Sequence, residues 1–366
     1  MKAKKVLASL LVTVMALGLT ACGSKTAETV NPETESTEAA ATETTMAVEA
    51  TESKEEGLKI GYISPGPDTW YSRAEEGAKW AAEKAGAEFI SVNSNRDSET
   101  EQTNIDNLIN EGVDAIITLS WNEAGSVATA EKCKEAGIGC VVFDACGVMS
   151  NHDVDMTASV DFDWNSMGAM YQNWMDTTYP GEDYVFISGT EDSVVCQTLE
   201  ASLKAATEAS GKNKLVDIRY GQYDPETAAN SAEDLVNSGL EFSIIGTINE
   251  DCAAAIITRL QDLGVADKYH VFAQNGSDTG VKLMQEGVLE FTVSSSPGLE
   301  GAVAVFTAVD SLANGKAANQ TISCPIAAVN PDSVDDPEVV IPWAVNEEAW
   351  SKVIGANFAD YEVYLK

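Results

Sequence analysis

The sequence predicts an α/β fold of two doubly wound parallel-sheet lobes joined by a multi-strand hinge. Three observations predict it. Short apolar runs of strand length alternate with helical stretches from Leu58 to the 290s. Most of the helical stretches close on a glycine, the residue that enters the left-handed conformation of a helix C-cap at no steric cost. The alternation comes in two successive runs, split near Val160, within about 310 residues, a length that supports two cores.

Leu58 to Ile63 reads as a buried strand that ends in the loop Ser64-Pro65-Gly66-Pro67. The helix after it carries Ala74, Gly77, Ala78, Ala81, Ala82 and Ala85 on one face and stops at Gly86. A strand near Phe89 to Val92 follows, then a helix with Ile105, Leu108 and Ile109 that leads to Gly112. Strand Ala115 to Leu119, a helix ending at Gly137 and strand Cys140 to Phe143 complete the first run. In the second run, strands are expected at Tyr184 to Ser188, Leu215 to Arg219, Phe242 to Thr247 and Tyr269 to Ala273. The helices between them end at Gly211, Gly239 and Gly264. A helix to Gly287, strand Leu289 to Ser294 and a helix to Gly315 come last. Strands joined through helices lie parallel, with both faces of the sheet covered.

Ahead of this body, Lys2, Lys4 and Lys5 precede an uncharged apolar stretch from Val6 to Leu19, and Leu19-Thr20-Ala21-Cys22-Gly23 follows. That layout is similar to a bacterial lipoprotein signal, with residues 1–21 removed and a lipid carried by Cys22. The apolar run is shorter than the roughly 20 residues of a spanning helix. Residues 22–56 are Thr, Glu, Ala and Ser with few large apolar side chains, a composition that stays a solvated tether. The expected location is extracytoplasmic, lipid-anchored to the cell membrane.

The chain has 22 basic and 58 acidic residues, a net charge of −36, which disfavours nucleic acid and anionic lipid headgroups. Two histidines, His152 and His270, leave little for imidazole chemistry. Besides Cys22 there are Cys133, Cys140, Cys146, Cys196, Cys252 and Cys324, without a C-x-x-C pair. They read as buried small apolar residues, and their even number allows a disulfide whose partners the sequence does not assign. No phosphate-binding glycine loop, H-E-x-x-H or G-x-S-x-G is present, and the aspartates at 153, 155, 161 and 163 lack the glycine and glutamate of a calcium loop. No cofactor, metal or catalytic residue is expected.

Lys59-Ile60-Gly61-Tyr62, the aromatic pair Trp70-Tyr71, Ile109-Asn110-Glu111-Gly112-Val113-Asp114-Ala115-Ile116-Ile117, and Glu135-Ala136-Gly137-Ile138 leading to Asp144 occur in that order. Together they resemble the type I periplasmic binding proteins, in the sugar-binding branch related to ribose- and galactose-binding proteins. The resemblance covers Gly57 to about Asn330. It implies a cleft between the lobes at the carboxyl ends of the strands, closed by a hinge motion. It also implies several chain crossings. The first lobe would take residues 57–160 plus about 297–320, and the second 161–296 plus about 321–345. The tail, 346–366, stays unplaced.

Sugars present hydroxyls and apolar C–H faces, so carboxylates, amides and aromatic rings suit them. By the resemblance, Asp68 is the polar residue before the aromatic pair, Trp70 and Tyr71 are the sandwiching rings, and Asp144 is the strand-end aspartate. Gln197, Tyr223, Asn249, Asn275 and Ser295 take the second-lobe positions. Asp163 reads as a cleft or helix-capping residue, and Trp121 and Trp164 offer further stacking surface. The family's usual arginines are replaced at Ala145 and Gln197, an aspartate at Asn275 and a glutamine at Ser295. A neutral polyol-like ligand is therefore expected, without commitment to a pentose or hexose. The function implied is capture of that ligand for an ABC transporter permease with its ATPase. The alternatives are a receptor serving a chemoreceptor or histidine kinase and, less favoured, a surface-anchored carbohydrate hydrolase.

Overall fold

The computed structural model describes residues 57–365 other than 121, 145–148, 150, 151 and 317. Cys22, the apolar segment before it and the tether lie outside the described residues, as do Trp121, Ala145 and Cys146.

The first lobe is a six-stranded parallel sheet in the order β11-β5-β4-β3-β1-β2. Its strands are β1 (Lys59–Ser64), β2 (Glu88–Asn93), β3 (Ala115–Thr118), β4 (Gly139–Phe143), β5 (Ala158–Phe162) and β11 (Gln320–Cys324). The second sheet has the order β7-β6-β8-β9, also parallel, from Tyr184–Ser188 (β6), Leu215–Tyr220 (β7), Ile244–Thr247 (β8) and His270–Phe272 (β9). Parallel bridges from Phe272 to Phe291 and from Asn275 to Ser294 carry β10 (Thr292–Ser294) alongside it. β10 pairs antiparallel with β12 (Ala327–Val329). The central strands are buried along their whole length, which is why Ala115 to Thr118 and Ile244 to Thr247 read as unbroken apolar runs.

The connecting helices are α1 (Thr69–Ala85), α2 (Ser98–Asn110) and α3 (Glu123–Ala136), followed by α4 (Trp164–Thr178), α5 (Val194–Ser210), α6 (Pro225–Asn237), α7 (Glu250–Asp262) and α8 (Asp278–Gln285). α9 (Pro297–Asn314) and α10 (Glu347–Asn357) follow the second sheet. Each opens on a side-chain cap: Asp68 accepts from the N–H of Tyr71, Asn249 from Cys252, and Ser193 from Cys196. Because most strands in these sheets run into a helix at the carboxyl end, these caps gather at one edge of each sheet.

α9 leaves the second sheet and packs against α1 in the first lobe. The approach is so close that a Cβ on Gly77 would lie 1.8 Å from the carbonyl oxygen of Gly298. Only glycine permits that contact. The chain passes between the sheets after β5, before α9 and between β11 and β12, giving the multi-strand hinge. β5 runs through Phe162, two residues past the split at Val160. The sequence places the return to the second lobe near residue 321. Instead Gln320–Cys324 pairs in parallel with β5 in the first sheet, so the return to the second lobe falls at Pro325. β11 is the edge strand of that sheet, with alternating burial along its length.

The tail returns to the first lobe. Trp350 is fully buried edge-on against Trp80 at 5.5 Å, and its indole N–H donates to the carbonyl of Pro342 at 2.9 Å. Tyr361 packs near Phe306 and shares a hydrogen bond with Thr307 at 2.8 Å. Cys133, Cys140, Cys196, Cys252 and Cys324 are buried free thiols. Among the described residues, no helix is long and apolar enough to cross a membrane.

Candidate functional site

The carboxyl ends of the parallel strands of both lobes face a shared cavity of about 580 Å³, within the range of small-molecule sites. From the first lobe, the loops after β1, β2, β3 and β4 bring Asp68, Trp70 and Tyr71, then Arg96, Ser120 and Asp144. From the second, the loops after β6, β7, β8 and β9 bring Ser193, Tyr223, Asn249 and Glu250, and Gln274 with Asn275. Ligands in open α/β sheets bind in the crevice outside the carboxyl ends of the strands.

Asp144 is the centre of the first-lobe wall. It caps the end of β4 with a φ of 50°, and its N–H donates to the carbonyl of Val160 at 3.0 Å and to Glu300 Oε1 at 3.3 Å. The Trp70 indole N–H donates to its Oδ2 at 3.2 Å. Its Oδ1 is buried without a partner among the described residues. Burial, then the charge of Asp161, push its carboxyl up to about 7, against the lowering effect of the Trp70 bond. Behind it, burial and the charges of Asp144 and Asp161 push Glu300 well above the carboxylate range. The Ser159 hydroxyl donates to Asp161.

Backbone strain concentrates at this cavity. Arg96, Asp144, Gln222, Tyr223 and Asn275 all line it, and each has a positive φ that side chains rarely adopt. Such conformations cost about 1–3 kcal/mol each and persist where the surroundings hold them. Here the loops hold polar groups toward the cavity.

On the second-lobe wall, Glu250 sits in the first turn of α7. Its Oε1 accepts from the Gly276 N–H at 2.6 Å and the Thr292 hydroxyl at 2.7 Å, and its Oε2 from the Ser277 hydroxyl at 3.0 Å. Burial pushes its carboxyl up to about 7 even so. Asn249 Oδ1 caps α7, and Asn275 is fixed by its backbone alongside Val293 and Ser295. Trp343 reaches the cavity from the segment leading to α10. It donates to the carbonyl of Asn275 at 3.2 Å and meets Trp70 edge-on at 5.2 Å, so it touches both walls.

The structure brings together Asp68, Trp70, Tyr71, Asp144, Tyr223, Asn249 and Asn275. Three expected residues lie elsewhere. Asp163 is exposed and takes the capping role of the two expected for it, at the start of α4, accepting from the N–H and hydroxyl of Ser166, which hold its carboxyl below the usual range. Gln197 sits exposed on α5, with its amide donating to the carbonyl of Glu191 at 2.8 Å. It is one turn into the helix, past the end that faces the cavity. Ser295 is fully buried beneath the cavity lining, with its backbone bonded to Asn275. Trp121 lies outside the described residues.

Trp164 does line the cavity, with its indole nitrogen buried and unpartnered. Sequence reasoning missed Arg73, Arg96, Glu250, Gln274 and Trp343. Arg96 follows β2 directly, so the strand-end rule could have found it. Trp343 carried no such signal, because its segment follows no strand of either sheet. Among the described residues, no group of three or more histidines, cysteines, aspartates or glutamates is placed to hold a metal ion.

Residues 60–317 match the periplasmic binding protein domain family. The D-xylose-binding periplasmic protein of Escherichia coli is 25% identical over 241 residues, 64% of this chain and 71% of that protein. The ribose import binding protein of Bacillus subtilis is 21% identical over 271 residues, 74% of this chain and 85% of that protein. Among solved structures, an ABC transporter solute binding protein from Bacillus halodurans with bound myo-inositol superposes with a TM-score of 0.69 at 22% identity, covering 78% of this chain and 98% of that one. Two parallel-sheet lobes, a strand-end cleft between them and a match over most of the folded region make one conclusion: this chain belongs to the periplasmic binding protein family.

Proposed function

We propose that this protein captures a sugar-like or polyol ligand between its two lobes outside the cytoplasm and delivers it to an ABC transporter permease. A lipid on Cys22 keeps it within reach of that permease. The observation that carries the reading is the composition of the cavity walls. Aromatic rings at Trp70, Tyr71, Tyr223 and Trp343 stand among carboxylates and amides at Asp144, Asn249, Gln274 and Asn275, the pairing that C–H faces and hydroxyls require. The relatives named for xylose and ribose, and the fold relative holding myo-inositol, support the same class.

The chain binds and releases without chemistry of its own. A thermal-shift screen over sugars, polyols, nucleosides and amino acids tests the ligand class, because a ligand specific to the folded state raises the melting temperature by mass action. A sugar or polyol is expected to shift the melt. A shift by an amino acid or nucleoside alone overturns the class. Metabolic labelling with an alkynyl fatty acid tests the anchor: label is expected on the parent protein and lost in Cys22→Ala.

A further inference from the structure

We infer that this cleft has two ring-binding subsites and takes a two-ring ligand, a disaccharide or a glycoside of similar size. This deepens the sugar-like reading and rests on it. Trp70, Tyr71, Tyr223 and Trp343 line the cavity and are only half-buried, so ring surface is open to it. They fall into two pairs. Trp70 meets Trp343 edge-on at 5.2 Å, with the ring planes at 87°. The Tyr223 hydroxyl lies 3.2 Å from Ser193 Oγ and 3.0 Å from Cys196 Sγ. Tyr71 stands close enough to Cys196 and Tyr223 for their charges to interact. Each pair takes one ring from either side of the cleft. Trp70 and Tyr71 share the first turn of α1, where consecutive side chains project about 100° apart, so the two rings face different parts of the cavity. Across from them, Tyr223 follows β7, and Trp343 is tied to second-lobe backbone through the carbonyl of Asn275 at 3.2 Å.

The volume points the same way. At about 30 Å³ per water, a cavity of 580 Å³ equals roughly 19 waters. A hexose has about 12 non-hydrogen atoms and a hexose disaccharide about 23, and bonded atoms sit closer together than waters. One hexose therefore leaves roughly a third or more of the space unfilled, whereas a disaccharide occupies most of it. A single ring held by one pair also leaves the other pair's apolar surface wet, and a second ring covers it. Hydroxyl partners are at hand beside Tyr71, where Arg96 and Asp68 pair at 2.6 Å with side chains 43% and 39% exposed. The indole pair is held in place by the chain around it. The Ser296 hydroxyl and the Trp350 indole N–H both donate to the carbonyl of Pro342, at 2.7 and 2.9 Å, and the Ile341 N–H donates to Ser294 Oγ at 3.1 Å. Trp343 falls after residues 60–317, so the stretch that matches the family does not by itself supply this pair.

Calorimetric titration of the full chain at neutral pH with matched sugars tests this: D-xylose and xylobiose, D-glucose with cellobiose and maltose, and D-galactose and melibiose. At least one disaccharide is expected to bind about tenfold or more tighter than its monosaccharide. Trp343→Ala is expected to weaken that disaccharide about tenfold and the monosaccharide about twofold at most, with Trp343→Phe falling between alanine and the parent. If the alanine variant fails to fold, the matched comparison on the parent protein decides alone. Monosaccharides that bind as tightly as their disaccharides overturn the inference and leave the sugar-like reading standing. Absence of binding by every one of these sugars also overturns it, and if an amino acid or nucleoside binds instead, the sugar-like reading falls with it.

Discussion

The two walls of the cleft each bury a carboxylate beside the cavity, and they treat it in opposite ways. Asp144 on the first lobe and Glu250 on the second are almost fully removed from water, and burial pushes both up to about 7. Glu250 spends both oxygens on its own lobe, tying the start of α7 to Gly276, Ser277 and Thr292. Asp144 spends one oxygen on Trp70 and keeps the other buried with no partner among the described residues. Burial and a raised pKa therefore do not by themselves mark a ligand residue. The accounting of hydrogen-bond partners separates the two, since each buried polar atom left without a partner needs its own explanation.

The largest test of that contrast is removal of the satisfied carboxylate. Glu250→Leu leaves two buried donors, at Gly276 and Thr292, without an acceptor and is expected to destabilise the protein by about 3–5 kcal/mol, read by chemical denaturation. Asp144 should behave the other way in the absence of ligand. A carboxyl whose folded pKa lies above its unfolded value binds its proton more tightly when folded. The stability it contributes is fully present below the unfolded pKa near 4 and is lost as pH rises through about 7. Asp144→Asn is then expected to be more stable than the parent at pH 8 by on the order of 2 kcal/mol, with a flatter profile between pH 4 and 8. A melt at pH 8 no higher than the parent's would show that Asp144 is structural after all.

Trp343 joins the two walls, so its loss should affect binding more than folding. Trp343→Ala is expected to weaken ligand binding about tenfold, measured by titration with whichever compound shifts the melt. The smallest effect belongs to Gln197. Exposed on α5 and bonded to Glu191, it is expected on substitution by alanine to change affinity and stability by no more than about 0.5 kcal/mol. A large loss of affinity in that variant would place the helix surface in the ligand's path and redraw the second-lobe wall.

Much of this site was legible along the chain. Strand ends could be placed from apolar runs, and the residues just after them, Asp68 to Tyr71, Asp144, Tyr223 and Asn249, meet at the cavity because parallel strands all deliver their loops to one edge. The residues that stay out of the cavity do so for a common reason. Asp163 and Gln197 follow strand ends in sequence, yet each is absorbed by a helix, as a cap and as a position one turn further on. A single residue's offset within a turn rotates a side chain away from the edge, and periodicity alone does not resolve that offset.

By itself the sequence determined the α/β class, the two runs of alternating elements, the position of the loops that face the cavity, and an acidic chain with an export-like start. These follow from local periodicity and composition, which act between near neighbours. The tertiary structure decided what depends on distant partners: that β11 joins the first sheet, that Trp350 and Tyr361 bring the tail back onto it, and that Trp343 lies across both walls. It also decided which of two buried carboxylates has both oxygens hydrogen-bonded and which keeps one without a partner. That difference rests on donors at Thr292 and Gly276, far along the chain from Glu250, which no local pattern announces.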